Sequence, residues 1–200
     1  MTFIFARGTG ELGNMGSVVG PPTASAMQQL LGANGVSVQG VDYPADAAGN
    51  GKTSFPLHCK VTTNAAPANL GGSGGPEMAQ LAQQALSACP DTKIVLGGYS
   101  QGAMVVHNAL SNFDGSKVAA VVAFGDPFNG QAFDGVDASK VLEVCGSSDF
   151  LCSSGGTNVS GGHISYSDDG AQAAQFAVKV SRLVSQISYK LLTMLQAAGL

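Results

Sequence analysis

The chain contains no tryptophan, few charges and only three histidines, and each shortage narrows what it can do. Charged residues make up 11% of its 200 positions, with 9 Lys and Arg against 13 Asp and Glu. A net charge of −4 leaves no basic stripe of the kind that nucleic acid or an anionic membrane surface requires. No apolar run approaches the roughly eighteen residues of a membrane span. Cys-x-x-Cys is absent, and with it that metal or redox pattern. What is plentiful is apolar surface: 44% of the residues are hydrophobic, which suits one domain over residues 1–200 with a sizeable core.

Four cysteines are many for a small cytosolic enzyme. Cys145 and Cys152 flank the short stretch "CGSSDFLC" and read as a disulfide pinning that loop, which points to an oxidising, extracellular compartment. The start, "MTFIFARGTG", has an apolar stretch too short for a secretory leader: either the leader is missing from this sequence or the chain is not exported by that route.

Short apolar runs at Thr2–Ala6, Val36–Val41, Lys93–Gly98, Val118–Phe124 and Val141–Cys145 read as strands. Helical spacing appears at Pro22–Leu31, Pro76–Ala88, Gln101–Leu110 and Ala171–Leu195. Continuous apolar strands alternating with helices predict a parallel sheet covered on both faces. From about Gly49 to Pro76 there is no periodicity, and a loop of that length inside one domain is unusual.

Gly-x-Ser-x-Gly occurs twice. Around Ser73, in "ANLGGSGGPEM", no strand precedes the serine and four glycines surround it, so nothing would hold its hydroxyl still. Ser100 follows the strand run "KIVLGG" and opens the helical run "QGAMVVHNAL". A serine on that turn sits in strained backbone at the strand's carboxyl end, and the next amide, that of Gln101, lies at a helix N-terminus. The rival reading of Ser100 is an ordinary turn with a capping serine.

A serine hydroxyl needs a base. His107 lies on the same helix, about 10 Å further along its axis at 1.5 Å per residue, and reads as a packing residue. His58 precedes the serine, in the irregular stretch. Strand–turn–helix hydrolases run in the order Ser, acid, His, and only His163 obeys it. The acid is then one of Asp114, Asp126, Asp134, Asp137, Glu143 and Asp149. Asp149 lies in the loop that Cys145 and Cys152 would close, where a carboxylate can be held rigidly, and it is the choice. Asp126, at a strand end before a proline, is the runner-up. After the first strand, "ARGTGELGNMG" brings Thr9 to the same edge of the sheet, where its N–H would join that of Gln101 in an oxyanion hole. Arg7 and Glu11 would pair to hold this loop.

Together "FARGTGELGNMG", "CPDTKIVLGGYSQGA", "CGSSDFLC" and "GGHISY" resemble the fungal cutinases, a carbohydrate-esterase family that also contains acetylxylan esterases. The resemblance implies a small α/β-hydrolase: a three-layer sandwich with a five-stranded, mainly parallel sheet and no lid. It implies Ser100, Asp149 and His163 as a triad, Thr9 and Gln101 as oxyanion donors, and Cys145–Cys152 as a disulfide. It implies a secreted esterase acting on cutin and on short-chain esters, with no metal or cofactor, acting as a monomer on a polyester or acylated polysaccharide.

The chain departs from the family in lacking an early cysteine to match Cys89, which leaves Cys59 as a candidate partner. It also carries residues 51–68, which have no counterpart; "GK" after Asn50 is compatible with GGTAAG, and the stretch reads as an intron kept in the coding sequence. Phe150, Leu151 and Ile164 are candidates for gripping substrate, against the plainer reading that they are packed. The rival functions are deacetylation of xylan and a non-catalytic protein on the same scaffold.

Overall fold

The computed structural model describes residues 1–47, 71, 73–152, 157–159 and 162–197, with only the backbone for 157–159 and 184–197. The irregular stretch at 51–68, with His58 and Cys59, lies outside the described residues. The elements are β1 (Thr2–Ala6), α1 (Gly20–Leu31), β2 (Ser37–Gly40), α2 (Gly74–Ala88), β3 (Ile94–Tyr99), α3 (Gln101–Leu110), β4 (Val118–Phe124), β5 (Val141–Gly146), β6 (Thr157–Val159) and α4 (Gly170–Ala197). Five strands and four helices lie where the apolar runs and helical spacing put them. The sixth strand is additional. Its three residues, Thr-Asn-Val in a Gly- and Ser-rich stretch, carry no apolar alternation to announce them.

Every neighbouring pair of strands is parallel, and their order is β2-β1-β3-β4-β5-β6. The side-chain period of two divides each central strand between two cores. Ile4, Ala6, Ile94, Leu96, Val121 and Ala123 meet residues of α2 and α3. Phe3, Phe5, Val95, Val122 and Phe124 meet Met27 of α1 and Ala173, Ala174 and Ala177 of α4. β3 and β4 are buried along their whole length, which is why they read as unbroken apolar runs. Burying each large side chain contributes about 1.5–3 kcal/mol, so this three-layer α/β sandwich is held chiefly from its middle.

The chain leaves β1 to one side to make β2, then returns to the other side for β3. The crevice at the carboxyl ends of β1 and β3 is therefore the topological switch point, where open parallel sheets bind ligands. Both sequence stretches singled out for chemistry, the loop after Ala6 and the turn after Tyr99, emerge there.

Candidate active site

Ser100 sits between β3 and α3 with φ 56°, one of two non-glycine residues with positive φ among those described. Such backbone costs on the order of 1–3 kcal/mol and persists only where the surroundings enforce it. Here the Ser100 N–H donates to the Phe124 carbonyl at 2.9 Å, and the Ser100 carbonyl accepts from Ala103 N–H at 2.9 Å. The flanking glycines explain the tight approach. A Cβ on Gly98 would lie 2.2 Å from the Gly102 carbonyl oxygen, and one on Gly102 would lie 2.0 Å from the Ala6 carbonyl oxygen. Gly98 thus lets α3 fold back on its strand, and Gly102 lets α3 press on the end of β1.

Ser100 is the N-cap residue of α3, yet its side chain makes no capping bond. The hydroxyl instead meets His163 Nε2 at 2.8 Å. On the other side of the ring, His163 Nδ1 lies 2.7 Å from Asp149 Oδ2. The plainer reading of Ser100 as a capping serine is thereby overturned. Ser73, at the start of α2, also caps nothing with its side chain.

Asp149 is fully buried. Its Oδ1 accepts from Leu151 N–H at 2.9 Å, and its Oδ2 also accepts from the Tyr166 hydroxyl at 2.5 Å. Burial pushes its carboxyl upward, but the bonds from Tyr166, His163 and Leu151, with the charge of His163, hold it below the ordinary carboxylate value. The Cys145–Cys152 disulfide expected around this loop is present, with Cα atoms 5.7 Å apart. The runner-up acid, Asp126, faces away: its Oδ2 lies 2.9 Å from His107 Nε2, inside the core.

The loop after β1 lies against the same turn. A Cβ on Gly8 would strike the Tyr99 ring at 2.7 Å. Thr9 is exposed at its tip, and Gly10 N–H donates to the Ala45 carbonyl at 2.8 Å. The expected pairing of Arg7 with Glu11 takes another form. Arg7 Nε donates to the Glu11 backbone carbonyl at 2.8 Å, while the Glu11 carboxylate accepts from the amides of Gly8, Ser17 and Val18. The carboxylate serves as an anchor for loop amides, because three N–H groups with no strand to bond are close by. Gln101 is buried; its Nε2 donates to the Asp46 carbonyl at 2.8 Å and ties the 44–47 segment to the start of α3.

The sequence profile of the cutinase family matches residues 1–181. Cutinase 4 of Emericella nidulans is 51% identical over 183 residues, covering 92% of this chain and 72% of that protein. The chain belongs to the cutinase family. It is accordingly a carboxylic ester hydrolase on the lidless α/β-hydrolase fold. Among solved structures, Trichoderma reesei cutinase in complex with a phosphonate inhibitor superposes with TM-score 0.70 at 39% identity, over 90% of this chain and 75% of that one. An acetylxylan esterase superposes with TM-score 0.59 at 23% identity, over 90% of this chain and 98% of its own, a likeness of fold.

In this cutinase the three residues expected to grip substrate are exposed. Phe150 is 81%, Leu151 44% and Ile164 82% exposed, each next to or near Asp149 or His163 in sequence. Leu12, 86% exposed in the loop that carries Thr9, is a further exposed apolar side chain and was not singled out by sequence. Cys89 is exposed, and its suggested partner Cys59 lies outside the described residues. Two tyrosines were also missed. Tyr99, the first variable residue of Gly-x-Ser-x-Gly, donates from its hydroxyl to the His163 carbonyl at 2.6 Å. Burial pushes its phenol up to about 12, so it stays a neutral donor. Tyr166 lies three residues after His163 in "GGHISY", a spacing that by itself carries no signal.

Proposed function

We propose that this protein is a secreted serine esterase that cleaves ester bonds of cutin-type polyesters and of shorter esters through an acyl-enzyme on Ser100. The observation that carries the reading is the unbroken hydrogen-bonded chain from Asp149 through His163 to Ser100. His163 Nε2 takes the hydroxyl proton as Ser100 Oγ attacks the ester carbonyl. Asp149 fixes the ring with Nδ1–H toward itself and stabilises the imidazolium. The amides of Gln101 and Thr9 receive the developing oxyanion. The alcohol leaves with the proton from His163; a water, deprotonated by the same ring, then releases the acid. Every residue in this sequence returns to its starting protonation state.

Phe150, Leu151 and Ile164 would grip the acyl chain, which favours esters longer than acetyl. The Cys145–Cys152 disulfide supports an extracellular site of action, and the enzyme would work as a monomer without metal or cofactor. Initial rates on acetyl, butyryl and longer p-nitrophenyl esters, with Ser100→Ala as control, test the reading. The expected outcome is a preference for butyryl or longer, loss of turnover by on the order of 10⁴-fold or more in Ser100→Ala, and alkyl phosphonate labelling of Ser100 alone. A strong preference for acetyl with acetate released from xylan would assign the protein to xylan deacetylation. Absence of both turnover and labelling would leave a non-catalytic scaffold.

A further inference from the structure

Tyr166 is fully buried, and its hydroxyl has three polar neighbours. It donates to Asp149 Oδ2 at 2.5 Å, it accepts from Gly146 N–H at 3.0 Å, and Cys152 Sγ lies 3.4 Å away. The oxygen it binds is the same one that accepts from His163 Nδ1. Its ring stands edge-on to His163, with centroids 6.4 Å apart and planes at 87°. A tyrosine buried only for packing would not need to point its hydroxyl at a catalytic acid that already has an amide and an imidazole to bind.

We infer that Tyr166 is a positioning residue of the triad: its hydroxyl sets both the orientation of Asp149 and how much of the carboxylate charge reaches His163. The inference rests on the triad reading above. The Gly146 amide, at the end of β5, fixes the phenol oxygen, and the phenol proton fixes Oδ2, so the carboxylate is aligned from the sheet itself. A donor on Oδ2 also withdraws negative charge from the side that faces the imidazolium. Removing that donor leaves the carboxylate a stronger partner for the imidazolium formed in the reaction, so the acid limb of the rate profile should move to higher pH. Strengthening the donor does the reverse. The other polar groups facing the pair are Ser100 and Tyr99 from the turn after β3, and Glu11, from the loop after β1, adds its charge beside Tyr99. Asp126, next to Gly125, is turned toward His107.

The test is the acid limb of the kcat/KM–pH profile, measured on a soluble p-nitrophenyl ester. Tyr166→Phe should move that limb to higher pH by roughly half a pH unit, and should lower kcat by about fivefold or more with KM nearly unchanged, because geometry and charge are altered while the substrate surface is not. The variant leaves the Gly146 amide without its acceptor and could fold poorly. Site-specific 3-fluorotyrosine at 166 therefore provides the second arm: it keeps the shape, donates more strongly, and should move the limb to lower pH. Opposite shifts in the two proteins are the expected result. A limb that stays put in both, or a drop in kcat that only follows the fraction of folded protein, would overturn the inference and leave Tyr166 a packing residue. Ser100→Ala separates this from failure of the triad reading: if Ser100→Ala stays active, the triad reading falls, whereas an inactive Ser100→Ala with unmoved limbs sinks only the role of Tyr166.

Discussion

Among the described residues two histidine–aspartate pairs have similar geometry, and only one of them has a serine hydroxyl on the second ring nitrogen. His163 uses Nδ1 toward Asp149 at 2.7 Å and leaves Nε2 to meet Ser100 at 2.8 Å. Its side chain is 21% exposed, so a substrate can reach it. His107 uses Nε2 toward Asp126 at 2.9 Å, and its side chain is 3% exposed. The ring is stacked on Phe133, centroids 3.9 Å apart, and meets Phe128 edge-on. A carboxylate–imidazole bond is thus not what makes a base. What matters is whether the second nitrogen faces a nucleophile and open space or an aromatic wall.

Exchanging substitutions between the pairs would break this contrast most sharply. His163→Ala should lower kcat/KM by on the order of 10⁴-fold while leaving urea stability nearly unchanged. His107→Ala should do the opposite. It leaves Asp126 buried with the Phe128 amide still donating to its Oδ1 but without the imidazole, and should cost about 3 kcal/mol of stability with activity of the folded fraction within roughly threefold of the parent. Equal losses of activity in both would refute the division. Asp149→Asn should cost on the order of 10³–10⁴-fold in kcat, measured at saturating ester. Its pH effect has a definite sign. The Asp149 carboxyl is held below its ordinary value in the fold, so its contribution to stability is present above the unfolded carboxylate range and is lost as pH falls through the lowered value. Asp149→Asn should therefore narrow the stability difference between neutral and acid solution.

Gly125 joins the two regions, since it precedes Asp126 and lies against the triad. Its φ is 52°, and a Cβ there would sit 3.0 Å from Asp149 Oδ2 and from His163 Nδ1 and Cε1. Gly125→Ala should lower kcat by about tenfold and stability by about 1 kcal/mol, read by ester hydrolysis and urea unfolding. Unchanged kcat would mean that the acid–imidazole contact tolerates more displacement than its geometry suggests.

Much of the candidate site was legible because chain order did the sorting. Of three histidines, one precedes the serine and one shares its helix, which leaves His163 without any structural knowledge. The strands were legible because both faces of the central ones are buried, so β3 and β4 carry no polar interruption. Most of the illegible parts depend on side chains meeting across the fold. His107 and Asp126 are 19 positions apart and pair only because the end of β4 lies over α3. Tyr166 reads as one more aromatic residue until the return of the chain toward α4 puts its hydroxyl on Asp149. Glu11 was read as a partner for Arg7 because opposite charges four apart suggest a pair; unpaired loop amides nearby outcompeted the guanidinium. β6 is too short and too polar for any pattern to register.

The smallest expected effect lies in the silent region. Glu143, on β5, lines a hollow with Phe133, Val136 and Val141, and accepts from Gly130 N–H at 3.1 Å. Burial pushes its carboxyl upward, the Gly130 amide opposes this, and the nearby Asp126 adds to the rise while His107 offsets it. A raised carboxyl contributes stability that is present below the unfolded carboxylate range and is lost as pH rises through the folded value. At neutral pH the ionised Glu143 is therefore carried at a cost. Glu143→Gln keeps an oxygen for the Gly130 amide and removes the charge. It should raise stability at pH 7 by a few tenths of a kcal/mol, since solvent screens a side chain this accessible, and should lose that advantage near pH 4. Urea unfolding at the two pH values reads the difference. Activity on the ester should not change, because the group Glu143 faces is the His–Asp pair that has no nucleophile.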